Sequence, residues 1–121
     1  MAKRILVVDD QPYLRDVQVL LLQEAGYAAT AMASGAEALA RLGQERPDLI
    51  LLDMSMPGMD GRQFLHHLRE DQRWAHLPVI LSTGHLAETL GALRQQTVDV
   101  LAKPFSDRAL LETVRRLIGD A

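Results

Sequence analysis

The chain has 121 residues, 48% of them hydrophobic, and its 13 basic and 16 acidic side chains give a formal net charge of −3. This length supports one hydrophobic core, so we expect a single domain over residues 1–121, and the charge excludes the broad basic surface that direct binding of nucleic acid needs. The sequence has no cysteine and no apolar run near the roughly 18 residues of a membrane-spanning helix, which excludes disulfides and thiolate metal sites and favours a cytoplasmic protein without membrane contact.

Short apolar runs predict the strands of a parallel sheet. The strongest are residues 5–8, 49–52 and 79–81, which are apolar throughout, as is typical of strands covered by helices on both faces. Two weaker runs, Ala28–Met32 and residues 98–102, predict a second and a fifth strand. Five strands are therefore expected.

Between the strands the apolar spacing changes to that of helices, and five helices are predicted. The helical spacing is seen in Leu14, Val17, Leu21 and Ala25 of the first helix and in Leu86, Leu90 and Leu93 of the fourth. Leu90 and Leu93 are expected either in the core or at an interface. Ser34 and Glu37 form a capping-box signature for the second helix, and Ser106 is the predicted N-cap of the fifth. Gly26 and Gly43 are expected to end the first two helices in a left-handed conformation.

The alternation of strands and helices predicts an α/β fold, in which an open five-stranded parallel sheet has helices on both faces. The length of the chain favours the strand order 2-1-3-4-5 of flavodoxin-like (βα)5 folds over a larger doubly wound sheet. In that order the chain reverses direction between the first and third strands, which leaves a crevice at their carboxyl ends. Any ligand is expected to bind in this crevice.

Polar residues follow the predicted strands at the carboxyl edge of the sheet. They are Asp9 and Asp10 after the first strand, Asp53 after the third, Ser82 and Thr83 after the fourth, and Lys103 after the fifth. Two carboxylates about 4 Å apart repel each other by on the order of 4 kcal/mol at an effective dielectric constant of 20, so this cluster indicates a neutralising cation. Mg²⁺ is expected, because it prefers oxygen ligands and is often held by one or two carboxylates and a phosphate oxygen.

The basic and hydroxyl side chains at this edge suit phosphoryl transfer. Lys103 supplies a compact positive charge on a flexible stem, which can pair first with a carboxylate and then with a phosphoryl group. Thr83 can donate a hydrogen bond to a phosphoryl oxygen. The set of residues therefore indicates phosphoryl transfer with a carboxylate as the acceptor.

Four short motifs, in order and at matching spacing, carry a resemblance to a known family. They are Val8-Asp9-Asp10, Asp53-Met-Ser-Met-Pro57-Gly-Met-Asp60-Gly61, Pro78-Val-Ile-Leu-Ser-Thr83-Gly84 and Lys103-Pro104-Phe105. Each motif alone is weak evidence, but the four together are highly specific. On these residues the chain resembles the response-regulator receiver domains of two-component signalling over essentially its whole length.

The resemblance implies a role for each of the site residues. It makes Asp53 the phosphoacceptor, Asp10 a direct Mg²⁺ ligand, Asp9 a ligand through water, the Ser55 backbone carbonyl a further ligand, and Thr83 and Lys103 contacts of the phosphoryl group. It also implies a cis bond between Lys103 and Pro104. The expected donor is a histidine kinase or a histidine phosphotransfer domain, and the expected state is a monomer or a phosphorylation-dependent dimer.

Phosphorylation is expected to draw Thr83 toward Asp53 and to remodel the surface of the fourth helix, the fifth strand and the fifth helix. The family commonly has an aromatic switch residue three positions before the lysine, where this chain has Val100, and residues 96–99 lack the usual Gly-Ala pair. Valine has no hydroxyl and little lever arm. We therefore expect coupling through Thr83 and displacement of the backbone of residues 83–92.

Some residues have simpler structural interpretations. Asp10 alone is also typical of a helix cap and Asp53 of a turn, and Thr83 is also a candidate cap of the fourth helix. For Asp60 and Gly61 a turn and helix start is favoured. The neighbouring residues His66 and His67 point in different directions on a helix, so a solvated face is favoured over a shared metal.

Three functions remain open from the sequence. The first is a stand-alone signalling protein that docks on an effector, and the second is the receiver part of a longer regulator with a DNA-binding or enzymatic output domain. The third, a small flavin enzyme or phosphohydrolase, is disfavoured because the loop after the first strand is acidic and Ser55 stands where an aspartyl-phosphate hydrolase usually has its second acid. The expected domain is a phosphoacceptor, not an enzyme in the ordinary sense, although it can hydrolyse its own acyl phosphate.

Overall fold

The computed structural model describes residues 2–93 and 98–121. Strands and helices alternate along the described chain. In order they are β1 (Arg4–Val8), α1 (Pro12–Glu24), β2 (Ala28–Met32), α2 (Gly35–Leu42), β3 (Leu49–Asp53), α3 (Gly61–Glu70), a short 3₁₀ helix (Gln72–Trp74), β4 (Val79–Thr83), α4 (Leu86–Ala92), β5 (Asp99–Ala102) and α5 (Asp107–Ile118). None of the helices in the described part of the chain is long and apolar enough to traverse a bilayer.

The five strands form one parallel sheet in the order β2-β1-β3-β4-β5, which confirms the predicted fold. Val8 pairs with Leu52 across β1 and β3, and Asp53 pairs with Ser82 across β3 and β4. Thr83 pairs with Ala102 across β4 and β5. This register places the carboxyl ends of the four strands side by side, which is the edge where the sequence predicts a site.

The central strands β1, β3 and β4 are buried on both faces of the sheet, because their side chains point alternately to the two sides and each side is covered by helices. Leu6, Val8, Ile50 and Leu52 face one core, which also contains Phe64 and Leu68 of α3. Ile5, Val7, Leu49 and Leu51 face the other, which also contains Leu22 of α1 and Leu110 and Val114 of α5. Every residue of β3 and β4 is buried, which accounts for their unbroken apolar runs. The site lies at the carboxyl ends of these buried strands.

In two helices the buried face is not the one that the apolar spacing alone indicates. Val17 of α1 is 42% exposed, while Gln18 and Leu22 are buried. The segment from Val17 to Leu22 is apolar at all but one position, so the helical period alone does not select a face, and packing against β1 and β2 does.

Leu86 and Leu90 of α4 are 41% and 51% exposed, whereas Thr89 and Leu93 are buried. The helix is only seven residues long and packs mainly against β5, an edge strand, so one narrow face is covered. Strand β5 begins at Asp99, one residue later than predicted. The positions where the family usually has a Gly-Ala pair, residues 96–99, lie partly outside the described residues.

The helix ends follow the predicted signals, with one exception. Ser106 caps α5 by accepting from Ala109 N–H at 3.0 Å, and Ser34 accepts from Glu37 N–H at 3.2 Å. Gly26 has φ +99°, as expected for a left-handed helix end. The prediction for Gly43 is wrong: its φ is −68°, because the chain continues in a right-handed turn in which later N–H groups donate to the carbonyl of Arg41.

Candidate functional site

Three carboxylates meet at the carboxyl ends of β1 and β3. Asp9 and Asp10 directly follow β1, and Asp53 is the last residue of β3. One carboxylate oxygen from each of the three lies within 4.8 Å of the others. Adjacent parallel strands end at the same level, so the fold itself forces these acids together, as the sequence predicts.

Two of the acids are deeply buried. Asp9 is 1% exposed and Asp53 is 4% exposed, whereas Asp10 is half-buried. Oδ1 of Asp9 accepts a hydrogen bond from Gln11 N–H at 2.9 Å. Its Oδ2 is buried and has no hydrogen-bond partner among the described residues. A buried carboxylate oxygen of this kind needs a ligand to replace its lost hydration.

The electrostatics of Asp9 reflect this crowding. Burial is the largest influence and raises the pKa of Asp9 above its ordinary value, and the nearby charge of Asp53 raises it further. The hydrogen bond from Gln11 and the positive charge of Lys103 act in the opposite direction but do not restore the ordinary pKa. The folded protein therefore holds Asp9 in a state that favours either a proton or a cation.

Lys103 contributes the ammonium group of the cluster. Its Nζ donates to Oδ1 of Asp53 at 3.0 Å, and its side chain is 27% exposed. Its backbone N–H donates to the carbonyl of Thr83 at 2.7 Å, which fixes the end of β5 against β4. The bond between Lys103 and Pro104 is cis, as expected. The structure thus brings Lys103 to Asp53 from two strands away in the sheet.

Thr83 lies at the same edge, but its hydroxyl contacts α4. Oγ1 of Thr83 lies 2.8 Å from Oγ1 of Thr89 and accepts from His85 N–H at 2.9 Å. His85 is the N-cap residue of α4 and makes no side-chain cap hydrogen bond. Thr83 therefore closes a short turn before α4 and is not its cap, because a cap accepts from an N–H inside the first turn of the helix and His85 precedes that turn. The neighbouring Ser82 contacts the carbonyl of Leu52 at 3.5 Å.

The loop after Asp53 is packed closely against α3. The backbone N–H of Ser55 donates to Oδ1 of Asp53 at 3.4 Å, a long hydrogen bond. Gly61 N–H donates to the carbonyl of Met54 at 2.9 Å. A Cβ at Gly61 would lie 2.8 Å from Met54 Cα and 2.9 Å from the Asp53 carbonyl oxygen, so this position requires glycine. Close packing here holds the backbone of Asp53 and Met54, directly before Ser55.

Asp60 begins α3 with a capping box. Its carboxylate accepts from Gln63 N–H at 2.8 Å, and the Gln63 side chain accepts from Asp60 N–H at 2.9 Å. The interpretation of Asp60 and Gly61 as a turn and helix start is confirmed. Asp60 is therefore close to Asp53 in sequence, but its carboxylate caps α3 and does not belong to the acidic cluster.

Two residues at the site were not found from the sequence. Arg15 of α1 donates from Nη1 to the backbone carbonyl of Asp9 at 2.9 Å and so holds the loop that carries Asp9 and Asp10. Thr89 contacts Thr83. No motif points to Arg15, and Thr89 could have been suspected only from its place four residues before Leu93 on the buried side of α4.

Other candidate residues lie away from the cluster. His66 pairs with Glu70 at 2.7 Å, and both side chains are more than 60% exposed, as expected for a solvated face. Val100 is half-buried and packs against the core that contains Leu6. Trp74, which precedes β4, is 8% exposed, and the guanidinium carbons of Arg46 and Arg73 lie 5.4 Å and 5.1 Å from its ring centroid. These residues belong to the packing and the surface.

Comparison with known proteins places this arrangement in one family. The sequence profile of the response regulator receiver domain matches residues 5–115. The response regulator protein FleR of Pseudomonas aeruginosa is 41% identical over 118 residues, which are 96% of this chain and 24% of FleR. The protein PilH of the same organism is 33% identical over 118 residues, which are 96% of this chain and 98% of PilH.

Solved structures agree with the sequence relatives. The chemotaxis protein CheY4 of Vibrio cholerae has a TM-score of 0.90 at 31% identity, with 98% of this chain and 100% of that chain covered. The receiver domain of sensor histidine kinase PA1611 from Pseudomonas aeruginosa, solved with magnesium in its active-site cleft, has a TM-score of 0.89 at 30% identity, with 99% and 100% covered.

The extent of the match differs among the relatives. This chain spans 24% of FleR and 52% of the phosphate regulon regulatory protein PhoB of Escherichia coli, which is 32% identical over 120 residues. It spans nearly all of PilH. The match to the family profile covers most of the chain and overlaps every strand of the described sheet. The chain belongs to the response regulator receiver domain family.

Proposed function

We propose that this domain is a Mg²⁺-dependent phosphoacceptor, which receives a phosphoryl group on Asp53 and thereby switches its surface for output. The observation that carries the proposal is the cluster of Asp9, Asp10 and Asp53, with the Lys103 ammonium 3.0 Å from Asp53 and one oxygen of Asp9 left without a hydrogen-bond partner among the described residues. A structural role as caps or turns would not need three acids and a lysine at one edge of the sheet.

The oxygen ligands of the cluster fit a hard divalent cation. Carboxylate oxygens are the ligands that Mg²⁺ prefers, and each of the three acids offers one within 4.8 Å of the others. Oδ2 of Asp9 has no hydrogen-bond partner among the described residues, so it is available to a bound ion or its water. Asp10 and Asp53 would be direct ligands, Asp9 a ligand through water and the Ser55 carbonyl a further ligand. When bound, the ion would neutralise the clustered negative charge and that of an incoming phosphoryl group.

Each protein group then has a distinct task. A carboxylate oxygen of Asp53 forms a bond to phosphorus, the bond between phosphorus and the donor's leaving atom breaks, and the electron pair of that bond leaves with the donor. Lys103 already pairs with Asp53, so its ammonium is placed to follow the negative charge onto a phosphoryl oxygen. Thr83 would donate its hydroxyl proton to another phosphoryl oxygen.

The donor we propose is the phosphohistidine of a kinase or of a phosphotransfer domain. Tyr13, Val17 and Leu20 form an exposed stripe along α1, at 78%, 42% and 56% exposure, and α1 begins two residues after Asp10. An exposed apolar stripe beside the cluster of Asp9, Asp10 and Asp53 supports a protein partner that covers the cluster during phosphoryl transfer. The domain would also accept phosphate from small acyl phosphates and hydrolyse its own acyl phosphate.

The output is proposed to pass through α4, β5 and α5. Leu86 and Leu90 are exposed on α4, which offers apolar surface to an effector or to a second copy after phosphorylation. We propose residues 1–121 as one domain that does not itself bind nucleic acid. An effector protein is favoured by the full-length match to PilH, and a covalently linked output domain is favoured by the partial match to longer regulators such as PhoB.

Incubation with acetyl phosphate and Mg²⁺, followed by intact mass measurement, tests the proposal. The wild type should gain one phosphoryl group, and the gain should disappear in Asp53→Asn and in EDTA. Asp60→Asn is the matched control, because asparagine also caps helices and Asp60 lies outside the acidic cluster. Equal phosphorylation of Asp53→Asn and the wild type, or a wild type that stays unmodified, would contradict the proposal.

A further inference from the structure

The hydroxyl of Thr83 is engaged in an enclosed contact with Thr89, and we call these two residues the threonine pair. Their Oγ1 atoms are 2.8 Å apart, and the residues are 2% and 3% exposed. Water therefore does not compete for the bond, and a hydrogen bond in such surroundings is costly to lose. A movement of the Thr83 hydroxyl away from Thr89 breaks this contact.

The hydroxyl of Thr83 has a single proton, because a hydroxyl donates once and accepts up to twice. Its Oγ1 accepts from His85 N–H, and either hydroxyl of the threonine pair can be the donor in the bond between them. In both arrangements the bond holds the Thr83 hydroxyl against Thr89. Where Thr83 is the donor, its proton is also not available to a phosphoryl oxygen, which as a charged group is a stronger acceptor than a neutral hydroxyl.

The pair also connects the site to α4. Thr89 is the only buried residue among the seven of α4, all of which are described, and the N-cap residue His85 makes no side-chain cap hydrogen bond. The threonine pair is therefore a principal side-chain link between the end of β4 and the helix. Val100 offers no hydroxyl to take part in this exchange.

We infer that Thr89 is a positioning residue, which holds Thr83 in its resting orientation and releases it when a phosphoryl group occupies Asp53. This inference rests on the proposed function, because it assumes that Thr83 donates to the phosphoryl group. Thr89 then sets how readily the domain is phosphorylated, and loss of its contact frees α4 from β4 in the same step. Output does not require an aromatic switch in this chain.

Three variants of Thr89 separate the hydroxyl from the packing. Thr89→Val and Thr89→Ala remove the hydroxyl, and Thr89→Ser retains it. Because one net hydrogen bond of the resting state is lost, the first two should bind beryllofluoride in the presence of Mg²⁺ about fivefold more tightly than the wild type, while Thr89→Ser should stay within about twofold. The affinity is read from titration of the backbone amide NMR signals of residues 83–92, and thermal unfolding verifies that each variant is folded.

The outcomes distinguish this inference from the proposed function. If the wild type binds beryllofluoride and gains a phosphoryl group, but Thr89→Val and Thr89→Ala bind no more tightly than Thr89→Ser, the role of Thr89 is refuted and the phosphoacceptor function stands. If the wild type neither binds beryllofluoride nor gains a phosphoryl group, both are refuted. Tighter binding by both variants without the hydroxyl, with Thr89→Ser unchanged, supports the inference.

Discussion

Replacing Asp9 with asparagine should stabilise the folded protein when no divalent cation is present. Asparagine keeps an oxygen to accept from Gln11 N–H, but it removes one of the negative charges that lie within 4.8 Å of each other. Its amide also supplies a donor to the neighbouring carboxylates, where Oδ2 of Asp9 has no partner among the described residues. The substitution therefore tests whether the cluster is strained by its own charge.

The expected size follows from the geometry. Two unit charges 4.8 Å apart repel by about 3.5 kcal/mol at an effective dielectric constant of 20. The Lys103 ammonium, 3.0 Å from Asp53, offsets part of this repulsion, so we expect Asp9→Asn to raise the free energy of unfolding at pH 7 by about 1–2 kcal/mol. For a domain of this length, that is a rise in Tm of roughly 3–8 °C.

The effect should depend on pH with a defined sign. Because the pKa of Asp9 is raised in the folded state, protonated Asp9 is favoured there, and its contribution to stability is fully present below the pKa of an unfolded aspartate, about 3.9. That contribution is lost as the pH rises through the folded pKa. The advantage of Asp9→Asn should therefore be largest at neutral pH and shrink as the pH falls toward 4.

Urea denaturation of both proteins, in EDTA and in Mg²⁺, measures these differences. Mg²⁺ at a hundred times its Kd should stabilise the wild type by about 2.7 kcal/mol and the variant by less, so the order of stability approaches equality or reverses. An Asp9→Asn protein that is less stable than the wild type in EDTA at pH 7, or a wild type whose unfolding midpoint ignores Mg²⁺, would refute the electrostatic reasoning.

Three further substitutions test single features of the site. Lys103→Met leaves the buried charge of Asp53 without its ammonium partner and should lower the free energy of unfolding in EDTA by about 1–3 kcal/mol; equal urea midpoints would contradict this. Gly61→Ala places a Cβ 2.8 Å from Met54 Cα and should cost about 1–3 kcal/mol in thermal unfolding, whereas an unchanged Tm would show that the loop adapts freely. Asp60→Ala removes the cap of α3 and should cost about 1 kcal/mol in urea unfolding, while Asp60→Asn should cost little.

The central strands and the convergence of the acids could be predicted because each rests on a strong local signal. The apolar runs at residues 5–8, 49–52 and 79–81 are typical of strands in a sheet that is covered on both faces. Parallel strands joined by right-handed crossovers then have their carboxyl ends, and the polar residues that follow them, at one edge of the sheet. Asp9, Asp53 and Lys103 needed no knowledge of side-chain packing to be placed at one edge.

The helix faces and the contacts of Thr83 could not be predicted, because they depend on packing between elements. The segment from Val17 to Leu22 offers several apolar faces, and only the position of α1 against the sheet selects Gln18 and Leu22. The prediction of a left-handed conformation at Gly43, after α2, was wrong because glycine permits that conformation without requiring it. Thr89 is a common residue without a motif, and its contact with Thr83 depends on how α4 lies against β4 and β5.

The position of Trp74 has a practical consequence for spectroscopy. It is the single tryptophan of the chain, and it precedes β4, a strand of five residues that spans about 16 Å. The acidic cluster lies at the opposite, carboxyl end of the strands. Its fluorescence should follow global unfolding, because Trp74 is buried and its ring lies close to the guanidinium groups of Arg46 and Arg73. An emission change upon adding magnesium to the folded protein would then report a signal carried through the core, because quenching at that distance is not a contact effect.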